Sequence, residues 1–150
     1  MFRQPLSKSQ AAIRCGAELA NDLGADLIIV NIINQRDVTA MEDAIGRIKT
    51  AVDNFPVSVD GYLKGLETSR SNDIEEMFVQ LDGPKPPHRV RIATGIPFKR
   101  LIDVAEEESP RLIVIGTKGR SNLADVILGS TAEKMFRHCP LPLLSVRVAD

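Results

Sequence analysis

The sequence is poor in aromatic residues and in side chains that form metal or redox sites. It contains no tryptophan, one tyrosine and five phenylalanines among 150 residues, too few to build a stacking platform for single-stranded nucleic acid. Cys15 and Cys139 match no CxxC or zinc spacing, and His88 and His138 complete no metal cluster. We therefore expect no nucleic-acid partner, no metal site, and thiols that behave as small hydrophobic groups in a reducing compartment.

Long apolar runs and an excess of one charge are also lacking. No stretch approaches the roughly 20 apolar residues of a membrane span, and the first ten residues lack the apolar core of a signal peptide. The 19 basic and 20 acidic residues give a net charge of -1. The protein as a whole therefore has no excess of positive charge to attract nucleic acids or anionic lipids. We expect a cytoplasmic protein with no membrane partner, in which any phosphate recognition is local.

The composition and length fit one globular domain over residues 1–150. Hydrophobic residues make up 43% and charged residues 26% of the chain, values typical of folded domains. A chain of this size buries enough apolar surface for a single core.

Apolar periodicity predicts strands and helices in alternation. Helices are expected over residues 9–23, 41–52 and 58–81, from Pro97 through at least Ala105, and over 130–138, the third with a break left open at 69–72. Strands are expected over 26–33, 89–95, 111–116 and 142–148. Those at 26–33 and 111–116 are apolar on both faces and are expected to be fully buried, whereas 89–95 alternates apolar and polar side chains. This order predicts an α/β fold with a doubly wound open parallel sheet and helices on both faces. Only residues 1–6 remain for a strand before the first helix, so strand one is short or incomplete.

The strongest functional signal is a glycine-rich segment that follows the strand at 111–116. Its glycines and hydroxyl residues are Gly116, Gly119, Gly129, Ser130 and Thr131. Glycine lets backbone N–H groups converge on an anion, and the N-terminus of the next helix favours negative charge. Ligands of open α/β sheets bind at the carboxyl ends of strands, where this segment begins. The segment therefore predicts a phosphate cradle.

A purely structural interpretation of the same residues stays open. Glycines after strands often form tight turns, and Ser130 with Glu133 has the spacing of a capping box, which needs no ligand. The spacing fits neither the Walker A sequence nor the GxGxxG dinucleotide fingerprint. Pattern alone leaves ligand binding and helix capping as alternatives.

The spacing G-x2-G-x9-G-S/T resembles the ATP-binding signature of the universal stress protein family. The flanking segments 112–116, 119–121 and 139–147 are similar to that family, as are 9–33 and 95–97. Residues 37–87 fall outside the resemblance. The likeness implies a five-strand sheet in the order 3-2-1-4-5, with ATP or another adenine nucleotide, with or without Mg²⁺, across the strand ends.

The resemblance also implies which residues contact the nucleotide. The implied contacts are Gly116, Thr117, Gly119, Gly129, Ser130 and Thr131 around phosphates and ribose, Ile32 and Ile115 at the adenine, and Ser7 at the end of strand one. Arg120, Lys8 and Lys118 are further candidates, as cations that pair with the phosphates. Members of the family that bind ATP carry an acid at that last position. Here Ser7 or, in an ungapped alignment, Gln4 stands there, and a neutral group replaces a charge-assisted hydrogen bond with a weaker one. The identity of the nucleotide therefore stays open.

The expected role is binding rather than catalysis. No Ser-His-Asp or Cys-His set has a motif context, and the three glutamates at 106–108 are expected to form a solvated helix face. The resemblance implies a stress-response module that forms a homodimer through the last strand, from Leu143 to Arg147, and acts on an unidentified protein partner. The alternatives are an interaction module that has lost nucleotide binding, and a weak ATPase that becomes phosphorylated at Ser130 or Thr131.

Overall fold

The computed structural model describes residues 8–117 and 129–147, and within them helices and strands alternate as predicted. In chain order the elements are α1 (Lys8–Leu23), β1 (Leu27–Asn34), α2 (Gln35–Ala51), α3 (Val59–Gln80), β2 (His88–Gly95), α4 (Pro97–Glu108), β3 (Ile113–Gly116), α5 (Ser130–His138) and β4 (Leu143–Val146). Across these ranges, no helix has both the length and the apolar character of a bilayer-spanning segment.

The strands form two parallel pairs. β1 pairs with β2, from Leu27 opposite His88 to Asn34 opposite Gly95. β3 pairs with β4 from Ile113 to Gly116. The predicted order 3-2-1-4-5 counts the N-terminal segment as strand one, so β1 and β2 correspond to its strands two and three, and β3 and β4 to its strands four and five. Both observed pairs are neighbours in that order, and the parallel α/β fold is confirmed. The expected first strand falls in residues 1–6, outside the described residues, and the complete five-strand order stays a prediction.

Helices cover both faces of the β1–β2 pair. The Phe78 ring of α3 stacks on His88 with 3.8 Å between ring centroids, whereas Arg89, the next residue of β2, pairs with Glu108 of α4. Successive side chains of a strand point to opposite faces. The helices α3 and α4 therefore lie on opposite sides of β2, which confirms the predicted layering.

The main core lies between α1, α3 and the β1–β2 pair. Its buried residues are Ala17, Ile29, Phe78 and Leu81. The close approach of α1 depends on a small residue, because a Cβ at Gly16 would lie 3.2 Å from Leu27 Cδ1. Since α1 also contacts β3 and β4, it packs against both strand pairs.

The predicted start of the second helix needs correction, and the third helix, whose continuity the sequence left open, is continuous. The second helix begins at Gln35 rather than 41, because the Asn34 side chain accepts a hydrogen bond from the Arg36 N–H at 3.0 Å and caps the helix there. The third helix runs without a break through 69–72. That segment contains neither proline nor glycine, and its polar residues keep helical geometry while Phe78 anchors the helix in the core.

The prediction of a fully buried strand over 111–116 is wrong in two respects. Pairing begins only at Ile113, whose N–H donates to the carbonyl of Pro142 at 2.9 Å. Residues of this strand are half-buried rather than buried, and β4 is its strand neighbour within the described ranges. The last strand is likewise shorter than predicted and ends at Val146.

The glutamates at 106–108 do not form a purely solvated face. Arg91 pairs with Glu107 and also with Glu108 at 2.6 Å, and Arg100 bonds Glu107 at 3.2 Å. Hydrogen bonds from Arg91 and Arg100 lower the pKa of Glu107, and those from Arg89 and Arg91 lower the pKa of Glu108. Both carboxylates stay ionised to lower pH than an isolated glutamate. The expectation failed because their cationic partners on β2 are distant in sequence.

Candidate functional site

The carboxyl ends of β3 and β4 lie side by side and are tied together by the residue after β3. Gly116 stands opposite Val146 in the parallel register. The Thr117 N–H then donates to the Val146 carbonyl at 3.1 Å, which extends the pairing one residue beyond the strand.

The start of α5 is held against this strand end. The Gly129 N–H donates to the carbonyl of Thr117, although residues 118–128, which lie outside the described ranges, separate the two in sequence. The structure therefore brings together four of the predicted site residues: Gly116, Thr117, Gly129 and Ser130. The end of β3 and the N-terminus of α5 therefore lie next to each other.

The helix is not capped as the sequence suggested. Gly129 is the N-cap residue, no side chain caps it, and Ser130 is already the first helical residue. The Glu133 N–H donates to the Gly129 carbonyl at 2.9 Å, while the Glu133 carboxylate pairs with Arg137 at 2.8 Å instead of reaching back. The predicted capping box is therefore wrong, and the Ser130 hydroxyl does not act as the helix cap.

The first turn of α5 carries the groups that an anion needs. Backbone N–H groups at the start of a helix have no partner within the helix, and the helix dipole places partial positive charge there. Ser130 is exposed and Thr131 half-buried, so two hydroxyl residues follow the N-cap. The opposite face is fixed by the buried side chains of Ala132 and Met135. Helix starts with these donors commonly bind anions.

The predicted adenine residues lie on different strand pairs. Ile32 belongs to β1, opposite Ala93, and Ile115 belongs to β3, opposite Ser145. Both side chains are half-buried. The remaining predicted contacts, Ser7, Gly119 and Arg120, lie outside the described residues.

Two polar groups near the ends of β1 and β2 escaped the sequence analysis. Arg70 of α3 donates to the Asn31 side chain at 3.0 Å, one residue before Ile32. The Thr94 hydroxyl is buried and has no hydrogen-bond partner among the residues that the structure describes. The contact between Arg70 and Asn31 spans 39 positions and follows no motif, so no local signal could have found it.

Nothing in the described ranges forms a second reactive centre. Within them, no three His, Cys, Asp or Glu side chains are placed to hold a metal ion. Burial raises the pKa of the Cys15 thiol, which keeps it protonated at neutral pH, whereas reactive cysteines have lowered values. The cluster at β3, β4 and α5 is therefore the candidate site.

Known proteins resemble this chain over nearly its whole length. A model of the universal stress protein family matches residues 5–147. A universal stress protein of Methanocaldococcus jannaschii is 24% identical over 128 residues, which cover 81% of this chain and 76% of that protein.

Solved structures show the same fold. The structure of the Methanocaldococcus jannaschii protein has a TM-score of 0.64 at 21% identity and covers 90% of each chain. A universal stress protein crystallised in complex with cAMP has a TM-score of 0.52 at 24% identity, over 95% of this chain and 90% of that one.

Proposed function

Because the chain belongs to the universal stress protein family, we propose that this stress-response protein binds ATP or a related adenine nucleotide at the ends of β3, β4 and α5. The observation that carries the proposal is the hydrogen bond from Gly129 to Thr117. It places a helix N-terminus directly at the carboxyl end of a parallel strand, where open α/β sheets bind ligands.

The phosphates would lie at the first turn of α5. In this proposal they accept hydrogen bonds from the backbone and hydroxyls of Ser130 and Thr131, with Gly116, Gly119, Gly129 and Arg120 around them and with or without Mg²⁺. The first-turn N–H groups have no partner within the helix, and the N-cap residue Gly129 has no side chain to bond them; both facts support this placement. Backbone N–H groups at helix starts are common phosphate ligands.

The base would lie between the strand pairs. In the proposal Ile32 and Ile115 contact the adenine and Ser7 replaces the acid at the end of strand one, within a sheet of order 3-2-1-4-5. The two observed parallel pairs are compatible with that order. The cAMP held by one similar universal stress protein supports an adenine nucleotide as the ligand class.

The assembly forms a second part of the proposal. We expect a cytoplasmic homodimer that pairs through the last strand, from Leu143 to Arg147, and that signals to a further protein. Support comes from β4, which pairs only with β3 within the described residues and exposes Leu144. A strand with an open edge and apolar side chains favours pairing with another strand.

Calorimetric titration with ATP, ADP, cAMP and GTP tests the proposal, with product analysis of the ATP samples. We expect saturable binding of adenine nucleotides, weaker binding of GTP, and no accumulation of ADP during the titration. No binding at millimolar ATP would favour the interaction module that has lost its nucleotide. ADP formation, or phosphate on Ser130 or Thr131 by mass spectrometry, would favour the weak ATPase.

A further inference from the structure

Among the polar and charged residues that the structure describes, Thr117 is the one buried as a whole residue, with 6% of its surface exposed. It lies between three elements of the candidate site, directly after β3, beside the end of β4 and against the start of α5. A buried polar side chain must find hydrogen-bond partners inside the protein. Its partners indicate what it does.

All three polar groups of Thr117 are engaged within the protein. Its N–H donates to the Val146 carbonyl at 3.1 Å, and its hydroxyl donates to the same carbonyl at 3.3 Å. Its own carbonyl accepts the Gly129 N–H. The hydroxyl hydrogen is therefore directed at β4, and donating it to a ligand would require breaking that bond.

These bonds connect the outer strand to the helix start. Val146 is the last residue of β4 and Gly129 is the N-cap of α5. The carbonyl of Gly129 accepts the Glu133 N–H and begins the helix. A displacement of β4 at Val146 would thus move Thr117, and with it the position of the first amides of α5.

We propose that Thr117 is a positioning residue that couples the outer edge of β4 to the nucleotide site. A second strand that pairs with β4 fixes Val146, and Thr117 transmits that constraint to the start of α5. By linkage, nucleotide binding strengthens strand pairing by the same factor. This inference rests on the proposed function, since it assigns a regulation to the same site.

The variant Thr117→Val tests the coupling, because it removes the hydroxyl and keeps the shape of the side chain. The Val146 carbonyl keeps its bond from the backbone N–H, so no buried group loses its last partner. We expect ATP affinity to fall by about 3- to 10-fold, the range for one neutral hydrogen bond. Thr117→Ser should recover most of this loss. Thr50→Val, which removes a hydroxyl bonded to the Gly46 carbonyl, should change nothing.

Hydrogen exchange measured without nucleotide separates positioning from direct contact. In Thr117→Val the Gly129 amide should exchange several-fold faster than in the unaltered protein, and Thr117→Ser should restore slow exchange. Loss of ATP affinity with unchanged Gly129 exchange would overturn the proposal and make Thr117 a direct ligand contact. If the unaltered protein binds no ATP, the proposed function fails. The rate of hydrogen exchange at the Gly129 amide in Thr117→Val, compared with the unaltered protein, still decides whether Thr117 positions the helix.

The unaltered protein provides a test that does not depend on how well the variants fold. Saturating ATP should slow exchange of the Thr117 amide, which donates to Val146, together with the amides of β4. ATP binding that leaves these amides unchanged would contradict the coupling.

Discussion

The variant Ser130→Asp is expected to lose ATP affinity by about 10- to 100-fold while its thermal stability stays equal or rises. Ser130 is the exposed first residue of α5, directly after the N-cap Gly129. The added carboxylate would face the phosphates of the nucleotide. The same charge interacts favourably with the helix dipole, and this contributes about 0.3–1 kcal/mol at a helix N-terminus.

The size of the affinity loss follows from the repulsion between the carboxylate and a phosphate. At about 4 Å two like charges repel by ~1 kcal/mol in water and ~4 kcal/mol near a protein surface, and each ~1.4 kcal/mol is a factor of ten in affinity. Added salt should reduce the loss, because screening weakens interactions between exposed charges. Titration calorimetry at two salt concentrations and thermal unfolding measure both effects.

A matched control variant adds the same negative charge on a different helix. Ser69 is exposed in the middle of α3, so Ser69→Asp should leave ATP affinity unchanged. If Ser130→Asp binds ATP as tightly as the unaltered protein, the phosphates do not lie at the start of α5. A stability loss in Ser130→Asp would instead argue against the helix start seen here.

Replacing Phe78 by alanine should cost about 3–5 kcal/mol of unfolding free energy. Its side chain is 2% exposed, packs in the core with Ala17, Ile29 and Leu81, and stacks on His88. Truncation removes the buried ring and leaves a cavity among rigid neighbours. A domain is typically stable by only about 5–15 kcal/mol, so urea denaturation should show a large shift of the midpoint.

The neighbouring residue provides the control for this loss. Val79 is 70% exposed, and Val79→Ala should change stability by no more than ~0.5 kcal/mol. Phe78 stacks on the first residue of β2, which lies at the opposite end of that strand from the ligand edge. Folded Phe78→Ala protein should therefore bind ATP normally. Equal losses of unfolding free energy in Phe78→Ala and Val79→Ala would contradict the core described here.

Local signals predicted the elements around the site well. The fourth helix begins at Pro97 as expected, because a proline at the first helical position loses no hydrogen bond. The start of α5 at Ser130 was also predicted, from the glycine and hydroxyl pattern. These features depend on a few consecutive residues, which a sequence displays directly.

Features that depend on a choice between competing partners, or on residues distant in sequence, could not be predicted. The capping box failed because Glu133 pairs with Arg137 along the helix, a choice between two partners that spacing alone does not decide. The interactions of Glu107 and Glu108 depend on arginines of β2, whose position follows from the packing of α4. The role of Thr117 emerges only from the register of β3 and β4.

The most direct test of nucleotide binding at the ends of β3, β4 and α5 is an amide map by NMR during an ATP titration. The largest shifts should fall on Gly116, Thr117 and the first turn of α5, from Ser130 to Ala132, with little change at Leu27 and His88 at the other end of the strands. No shifts at saturating ATP, or the largest shifts on α2 and α3, would contradict binding at this site.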